Sequence, residues 1–458
     1  MNNSTNTLYH SLELGLIALS VIFTFLVFAF PSIGLLYTNA QLWIYVAILV
    51  VNYLDDKRFN LYQVWIAAYI FMVWAEMRIL IDMDPQLFVY LKPFVRFNLA
   101  NACVMIGYHS NHKKTLKNNT LWVEKEGTKY FIIIILLLEA YYVYSTMSIV
   151  QSVMSGSRGS GSATGTGSLG GSLTNALGLI LPGFVAYYYK YIRKKNVLFA
   201  LLVASPVLIM LFLRSTRYKF LFSVLPILVI YDILNLKNHD LKKNLLLILS
   251  VLLIMGSSSF IRDNRSKSFD EWGNFQLFNY DNSSVSNDPF TLKIASEMSP
   301  EGVVRMAEIA DEYFESNHLH YGRETAFILY FWVPRKIWPS KPTMLDNWLI
   351  REYENVAEGY SSASGFIGEL RADFGWGCLL FMLLFGCFLK RLDNYCDFVF
   401  RSGSHSFDMI LVACLFPWVF FFVRSPITST MSLLWELVLY FIMRKLFANK
   451  NQIVSNYE

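Results

Sequence analysis

Five cations stand where an apolar chain has little use for them. Arg214 and Arg217 bound the short turn RSTR. Arg335 and Lys341 lie in VPRKIWPSKP, residues 333–342, and Arg424 lies in VRSP. A guanidinium is a planar fork of donors that stays charged and fits a phosphate, and a lysine adds a point charge. Pro334, Pro339 and Pro342 fix φ and break helix, so the segment between them is a short rigid presenter of Arg335 and Lys341. Cations held in advance where negative charge develops are a strong catalytic device. The chemistry they suit is departure of a phosphate or diphosphate. Each one alone would serve as well by snorkelling to lipid headgroups. Their joint occurrence favours binding, the usual reason cations converge in a membrane protein.

A transfer to a hydroxyl group also needs a proton acceptor, a role for carboxylate or imidazole. Glu369 and His320 lead the candidates, with Asp373, His318 and Glu352 behind them. Pairing with Arg371 is the structural alternative for Glu369, and a plain surface position is the alternative for the histidines. Tyr321, Trp338 and Trp348 could face sugar rings, as could Tyr330, Trp332 and Tyr353. An interfacial aromatic belt explains the same residues. No metal is expected, because His318 and His320 have no further ligand near them. The five cysteines form no CxxC and no disulfide framework.

The elements that must position these groups follow from composition. Of the 458 residues, 55% are hydrophobic and 16% charged, against about a quarter charged in soluble domains. The pattern predicts an all-α polytopic membrane protein with about twelve spans of roughly 20 apolar residues. They fall near 12–29, 34–54, 61–80, 87–108, 130–150, 174–191, 196–213, 218–235, 243–260, 374–390, 407–423 and 428–446. The first reads as a retained helix, not a signal peptide. Lys57, Arg58, Lys113, Lys114, Arg193, Lys194, Lys390, Arg401 and Arg444 all fall on one side, which is then cytoplasmic. Both termini are inside. The chain divides into a bundle of about nine spans (1–260), a large external loop (about 261–373) and about three C-terminal spans (374–458).

Within the loop, 262–288 reads as irregular surface. Ser299, Pro300 and Glu301 signal a helix start, and Val303, Ala307, Ala310 and Phe314 recur at helical spacing. An amphipathic helix is expected over 300–316, and a second over 344–355. Residues 154–173 read as a slack Gly/Ser loop. Lys92 and Arg96 share a helix face and could extend the cationic cluster. Glu76 with Arg96 is one expected internal ion pair, and Glu139 and Glu436 are expected to pair within the membrane.

The motifs resemble one family. Tyr321-Gly322, VPRKIWPSKP and GFIGELRADFGWG (365–377), preceded by LRSTR, are similar to the Wzy-type polymerases of O-antigen and related polysaccharides. The likeness covers 214–217 and 321–377, with Arg424 a weaker match. It implies a GT-C-like fold in the cytoplasmic membrane and a metal-independent glycosyltransferase without cofactor. The implied substrate is an oligosaccharide repeat unit on undecaprenyl pyrophosphate, taken at the outer face. Arg214, Arg217, Arg335, Lys341 and Arg424 would hold the pyrophosphate. The implied surroundings are membrane lipids, with a chain-length regulator and a flippase as candidate partners and no nucleic acid. A flippase for the same lipid and an O-antigen ligase are the alternatives. A flippase usually shows two related halves, and none is visible here.

Overall fold

The structure is a computed structural model. It describes residues 3–56, 59–83, 88–110, 120–124, 129–154, 169–213, 217–231, 291–292, 295, 302–316, 319–330, 333, 337–342, 345, 349, 364–401, 406–424 and 432–452. The expected span 243–260, the stretch 262–288, residues 155–168 of the Gly/Ser loop and most of 344–355 lie outside these residues, while Met154 and residues 169–173 of that expected loop are helical. So do Arg214, His318, Trp332, Arg335, Trp348, Glu352 and Tyr353.

Long apolar runs form helices because a helix satisfies its own backbone groups where water is absent. Every expected span within the described residues coincides with helix. The helices are α1 (Asn3–Ala29), α2 (Gly34–Asp56), α3 (Leu61–Tyr69), α4 (Ala75–Met83), α5 (Phe88–Ser110), α6 (Lys129–Met154), α7 (Leu169–Tyr187), α8 (Val197–Leu213) and α9 (Arg217–Ile230). They continue with α10 (Val303–Ser316), α11 (Arg323–Tyr330), α12 (Gly365–Phe374), α13 (Cys378–Arg401), α14 (Asp408–Arg424) and α15 (Ser432–Phe447). Five stretches among the described residues are long and apolar enough to cross a membrane: Leu8–Val27, Gly34–Asp55, Leu61–Ile81, Tyr130–Gln151 and Gly365–Arg401. The protein is therefore helical and of membrane type. One departure from all-α is a two-stranded antiparallel ribbon, β1 (Thr120–Glu124) with β2 (Ala448–Gln452), in which Thr120 faces Gln452 and Glu124 faces Ala448.

The chain forms two compact units. The first comprises residues 1–112, 280–393 and 419–430, and the second 113–279, 394–418 and 431–458. In the first, α1 packs on α2 and α5. Helices α3 and α4 run on through a π turn, Ile70–Trp74. Helices α5 and α13 cross at glycine. A Cβ on Gly107 would strike the Leu383 carbonyl, and one on Gly386 would strike that of Val104. Small residues let membrane helices approach this closely. Asp393 ties neighbouring helices together, accepting from Tyr108 Oη at 2.6 Å and from the Leu61 N–H at 3.2 Å. Buried amides and hydroxyls also pair, as in Tyr45 to Asn98 and Trp65 to Asn101, because an unmet polar group in a membrane is costly.

In the second unit, Phe131 gathers Phe184, Tyr187, Phe407 and Phe447. Arg444 lies over Trp122 of the ribbon at 4.3 Å. Glu139 and Glu436 are buried here, and among the described residues neither has an ion-pair partner. One carboxylate oxygen of each has no hydrogen-bond partner among the described residues. None of the five cysteines is in a disulfide.

Candidate functional site

The strongest concentration of charge in the first unit is not the expected one. Arg96 on α5 forms an ion pair with Asp311 on α10, and Arg371 Nε on α12 lies 3.4 Å from the same carboxylate. The three side chains are only 9%, 9% and 16% exposed. Both guanidiniums also lie over the Trp376 ring, at 5.3 and 5.9 Å, a cation–π geometry. Around them is a cleft walled by Pro93, Phe97, Ala307, Ala310, Ile367 and Leu379. Its free volume is about 20 Å³, room for one water.

Each wall has a local cause. Helix α10 buries Val303, Met306, Ala307 and Ala310, as its spacing predicts. It begins at Val303, later than Ser299 and Pro300 suggest. Its start is held by Glu76 on α4, which accepts the N–H groups of Val304 and Arg305, both at 2.9 Å. A carboxylate at a helix N-terminus satisfies orphan donors and meets the positive end of the helix dipole. The expected Glu76–Arg96 pair is thus overturned, because each side chain has taken a different partner on α10. Leu345 and Leu349 close the far side of α10 in a cluster with Met306, Ile309, Ala310 and Ala372.

The run GFIGELRADFGWG resolves into one helix between two left-handed glycines. Gly365 has φ +69°, and a Cβ there would lie 2.7 Å from the Val423 carbonyl oxygen. Gly375 has φ +60°, and its N–H closes the helix on the Arg371 carbonyl. A Cβ on Gly375 would come within 3.1 Å of Arg371 Nη1 and 3.3 Å of Leu319. The missing side chain therefore makes room for the guanidinium.

The segment before α11 docks on the same run. The N–H groups of His320 and Tyr321 donate to the carbonyls of Ala372 and Asp373, both at 3.1 Å. Tyr321 and Gly322 both have positive φ, +50° and +88°, which turns the chain into α11. Asp373 then holds the start of α11. It accepts the N–H of Glu324 at 3.0 Å, the N–H of Thr325 at 2.6 Å and the Thr325 hydroxyl at 2.5 Å. His320 Nδ1 lies 2.8 Å from Glu324 Oε1, and Glu324 is buried. Burial raises the Tyr330 pKa, and the Glu324 and Asp373 charges push the same way against Arg323.

The remaining sequence candidates fall as follows. Glu369 is fully enclosed within α12. Lys341 is buried, donating to the Val333 carbonyl at 3.0 Å with its ammonium 5.6 Å from the Phe327 ring centre. Its charge fastens its own loop. Trp338 is at the surface beside Tyr330, with its N–H donating to Ser340 Oγ. Tyr321 is exposed. Arg424 is half-buried near the Phe421 ring, and Lys92 is exposed. Arg217 opens α9 in the second unit. Sequence reasoning missed Asp311, Trp376 and Glu324. The first two had no local signal. Nor had Glu324, because His320 lies before α11 and the two meet across the turn at Tyr321 and Gly322.

Compared with known family models, curated proteins and solved structures, the chain matches none.

Proposed function

We propose that this protein joins oligosaccharide repeat units carried on undecaprenyl pyrophosphate, at the outer face of the cytoplasmic membrane. The observation that carries this reading is the pair of guanidiniums, Arg96 and Arg371, stacked on Trp376 in an apolar cleft. A lipid-linked diphosphate asks for that combination: cations for the phosphates, an aromatic face beside them and apolar walls leading to lipid. The expected topology, about twelve spans with both termini inside, gives these residues an outer position, which supports the reading. The donor's anomeric bond breaks there and leaves its electron pair on the diphosphate. The two arginines stabilise that charge as it forms. The likeness of 321–377 to Wzy-type polymerases supports the same chemistry.

The test is a purified-protein assay in nanodiscs with the cognate undecaprenyl-pyrophosphate repeat unit, resolved on a gel. The wild type gives a ladder. Arg96→Ala and Arg371→Ala each lose about 10²–10³ in turnover. A folded wild type that makes no ladder from authentic substrate refutes the polymerase. A lipid A-core acceptor and a flipping assay would then separate ligase from transporter.

A further inference from the structure

We infer that the short connection at residues 193–196, between α7 and α8, is a built site for the headgroup of an anionic phospholipid. It lies wholly in the second unit. Three observations carry it. First, Arg193, Lys194 and Lys195 are consecutive and all exposed, and among the described residues none of them forms an ion pair. Lys190, one turn earlier, differs, because its ammonium donates to the Ile230 carbonyl. Three uncompensated cations in a row make a local positive potential that attracts an anion. Second, the connection is fixed. Before it, α7 widens into a π turn at Tyr188–Ile192. The N–H groups of Arg193 and Lys195 donate back to the carbonyls of Tyr188 and Tyr189, at 3.0 and 2.7 Å. Tyr231 Oη, just past α9, donates to the carbonyls of Lys195 and Asn196, at 3.2 and 3.3 Å. Asn196 Oδ1 accepts the Phe199 N–H at 3.1 Å and so caps α8. Arg193 Nε donates to Tyr188 Oη at 2.9 Å, which steadies a guanidinium whose fork suits a phosphate. Third, Lys194 has φ +52°. The place just past a helix end is ordinarily taken by glycine, which bears the left-handed conformation without strain. A side chain kept there against strain marks a use for that side chain.

The occupant follows from the place of the connection in the chain. It joins the expected spans 174–191 and 196–213, and the second of these is the apolar helix Val197–Leu213. A link between two spans lies at the depth of phospholipid headgroups. Across it, Tyr189 packs on Phe199 with ring centres 4.9 Å apart, and tyrosine is enriched at that depth. On the expected topology the side is cytoplasmic, where anionic lipids attract cations next to a span. The competing view is that the three cations only direct insertion of the chain. A topological signal acts through charge alone. It needs no fixed connection, no tyrosine holding two carbonyls and no lysine in a left-handed conformation.

The full chain in nonionic detergent is titrated with phosphatidylglycerol or phosphatidylcholine, and bound lipids are counted by native mass spectrometry. Each cation next to an anionic lipid changes affinity about fivefold, so three together change it about 100-fold. The wild type should hold a phosphatidylglycerol that the Arg193→Gln, Lys194→Gln, Lys195→Gln triple variant binds about 100-fold more weakly. Phosphatidylcholine should bind both alike. Lys194→Arg with Lys195→Arg should keep full affinity. Two single substitutions separate a built site from loose charge. Tyr231→Phe removes no charge but releases two carbonyls, and should weaken phosphatidylglycerol binding about threefold or more. Lys194→Gly should bind about fivefold more weakly yet melt no lower than wild type, because the strain at φ +52° is relieved. Undiminished phosphatidylglycerol binding in the triple variant would overturn the site. So would wild-type affinity in Tyr231→Phe, which would leave a charge signal without a built site. Displacement of the lipid by excess inorganic phosphate would overturn the phospholipid as occupant.

Discussion

Asp311 offers the sharpest test of the cleft. Its carboxylate neutralises Arg96 and lies 3.4 Å from Arg371 Nε, with all three side chains largely buried. Removing one partner of a buried ion pair costs about 3–5 kcal/mol, because the remaining charge is left uncompensated. Here two charges remain. The half-exposed Trp376 ring beneath them returns about 1 kcal/mol, and water at the cleft mouth returns more. A net cost of about 3 kcal/mol in the empty protein is therefore reasonable. An entering phosphate recovers it, since it restores the missing negative charge. In the wild type the phosphate must first displace Asp311. Asp311→Asn should thus bind a short-chain polyprenyl phosphate about 100-fold more tightly, at about 1.4 kcal/mol per decade. Its unliganded form should melt lower than wild type, and saturating ligand should close the gap. The assay is titration calorimetry in nanodiscs with paired thermal melts. Unchanged or weaker phosphate binding in a folded Asp311→Asn protein would refute the argument. Asp311 would then be part of the wall, not an anion holding the phosphate position.

Two further substitutions test how the cleft is built. Glu76→Gln keeps one acceptor for the two N–H groups that begin α10 but loses the charge, at a cost of about 1.5–3 kcal/mol. Helix α10 should detach more often, so protease cleavage within 303–316 should rise tenfold or more. Unchanged cleavage would mean that α10 is held by its apolar face alone. Gly375→Ala places a methyl against Arg371 and Leu319 at a φ of +60°, where a side chain costs about 1–2 kcal/mol. The melting temperature should fall, and phosphate affinity with it as Arg371 is pushed aside. Full affinity in the variant would show that Arg371 is not confined by the turn.

What the sequence reveals depends on how far apart the partners lie. Helices were legible because their signal is local: apolar runs for α1, α2 and α6, and spacing for α10. The start of α10 was less so. Ser299 and Pro300 carry the usual signals, yet the acceptor in the structure is Glu76, more than two hundred residues earlier. Charges in the spans were visible, but their partners were not. Arg96 was paired on paper with Glu76 because both belong to neighbouring spans. Asp311 lies on a loop helix, and nothing in its surroundings marks it as a counterion. The ribbon of 120–124 with 448–452 was missed for the same reason. Its two strands are short and distant in sequence, β2 is polar, and neither alternates clearly enough to read as a strand.

The motif residues call for a different lesson. In GFIGELRADFGWG the conspicuous residues are mechanical. Gly365 and Gly375 end the helix, Asp373 caps α11, and Glu369 is enclosed. Tyr321 and Gly322, some fifty residues earlier in the chain, form the turn that docks on that helix through two backbone hydrogen bonds. The two motifs therefore belong together as one folded piece. Arg371 and Trp376 belong to this piece and are held by it. A cleft of this kind needs rigidity more than it needs many cations. Two guanidiniums fixed by an ion pair, an indole and a glycine turn lose little entropy on meeting a diphosphate. Five cations on separate loops would each have to be ordered first, at about 1–2 kcal/mol of backbone entropy per residue.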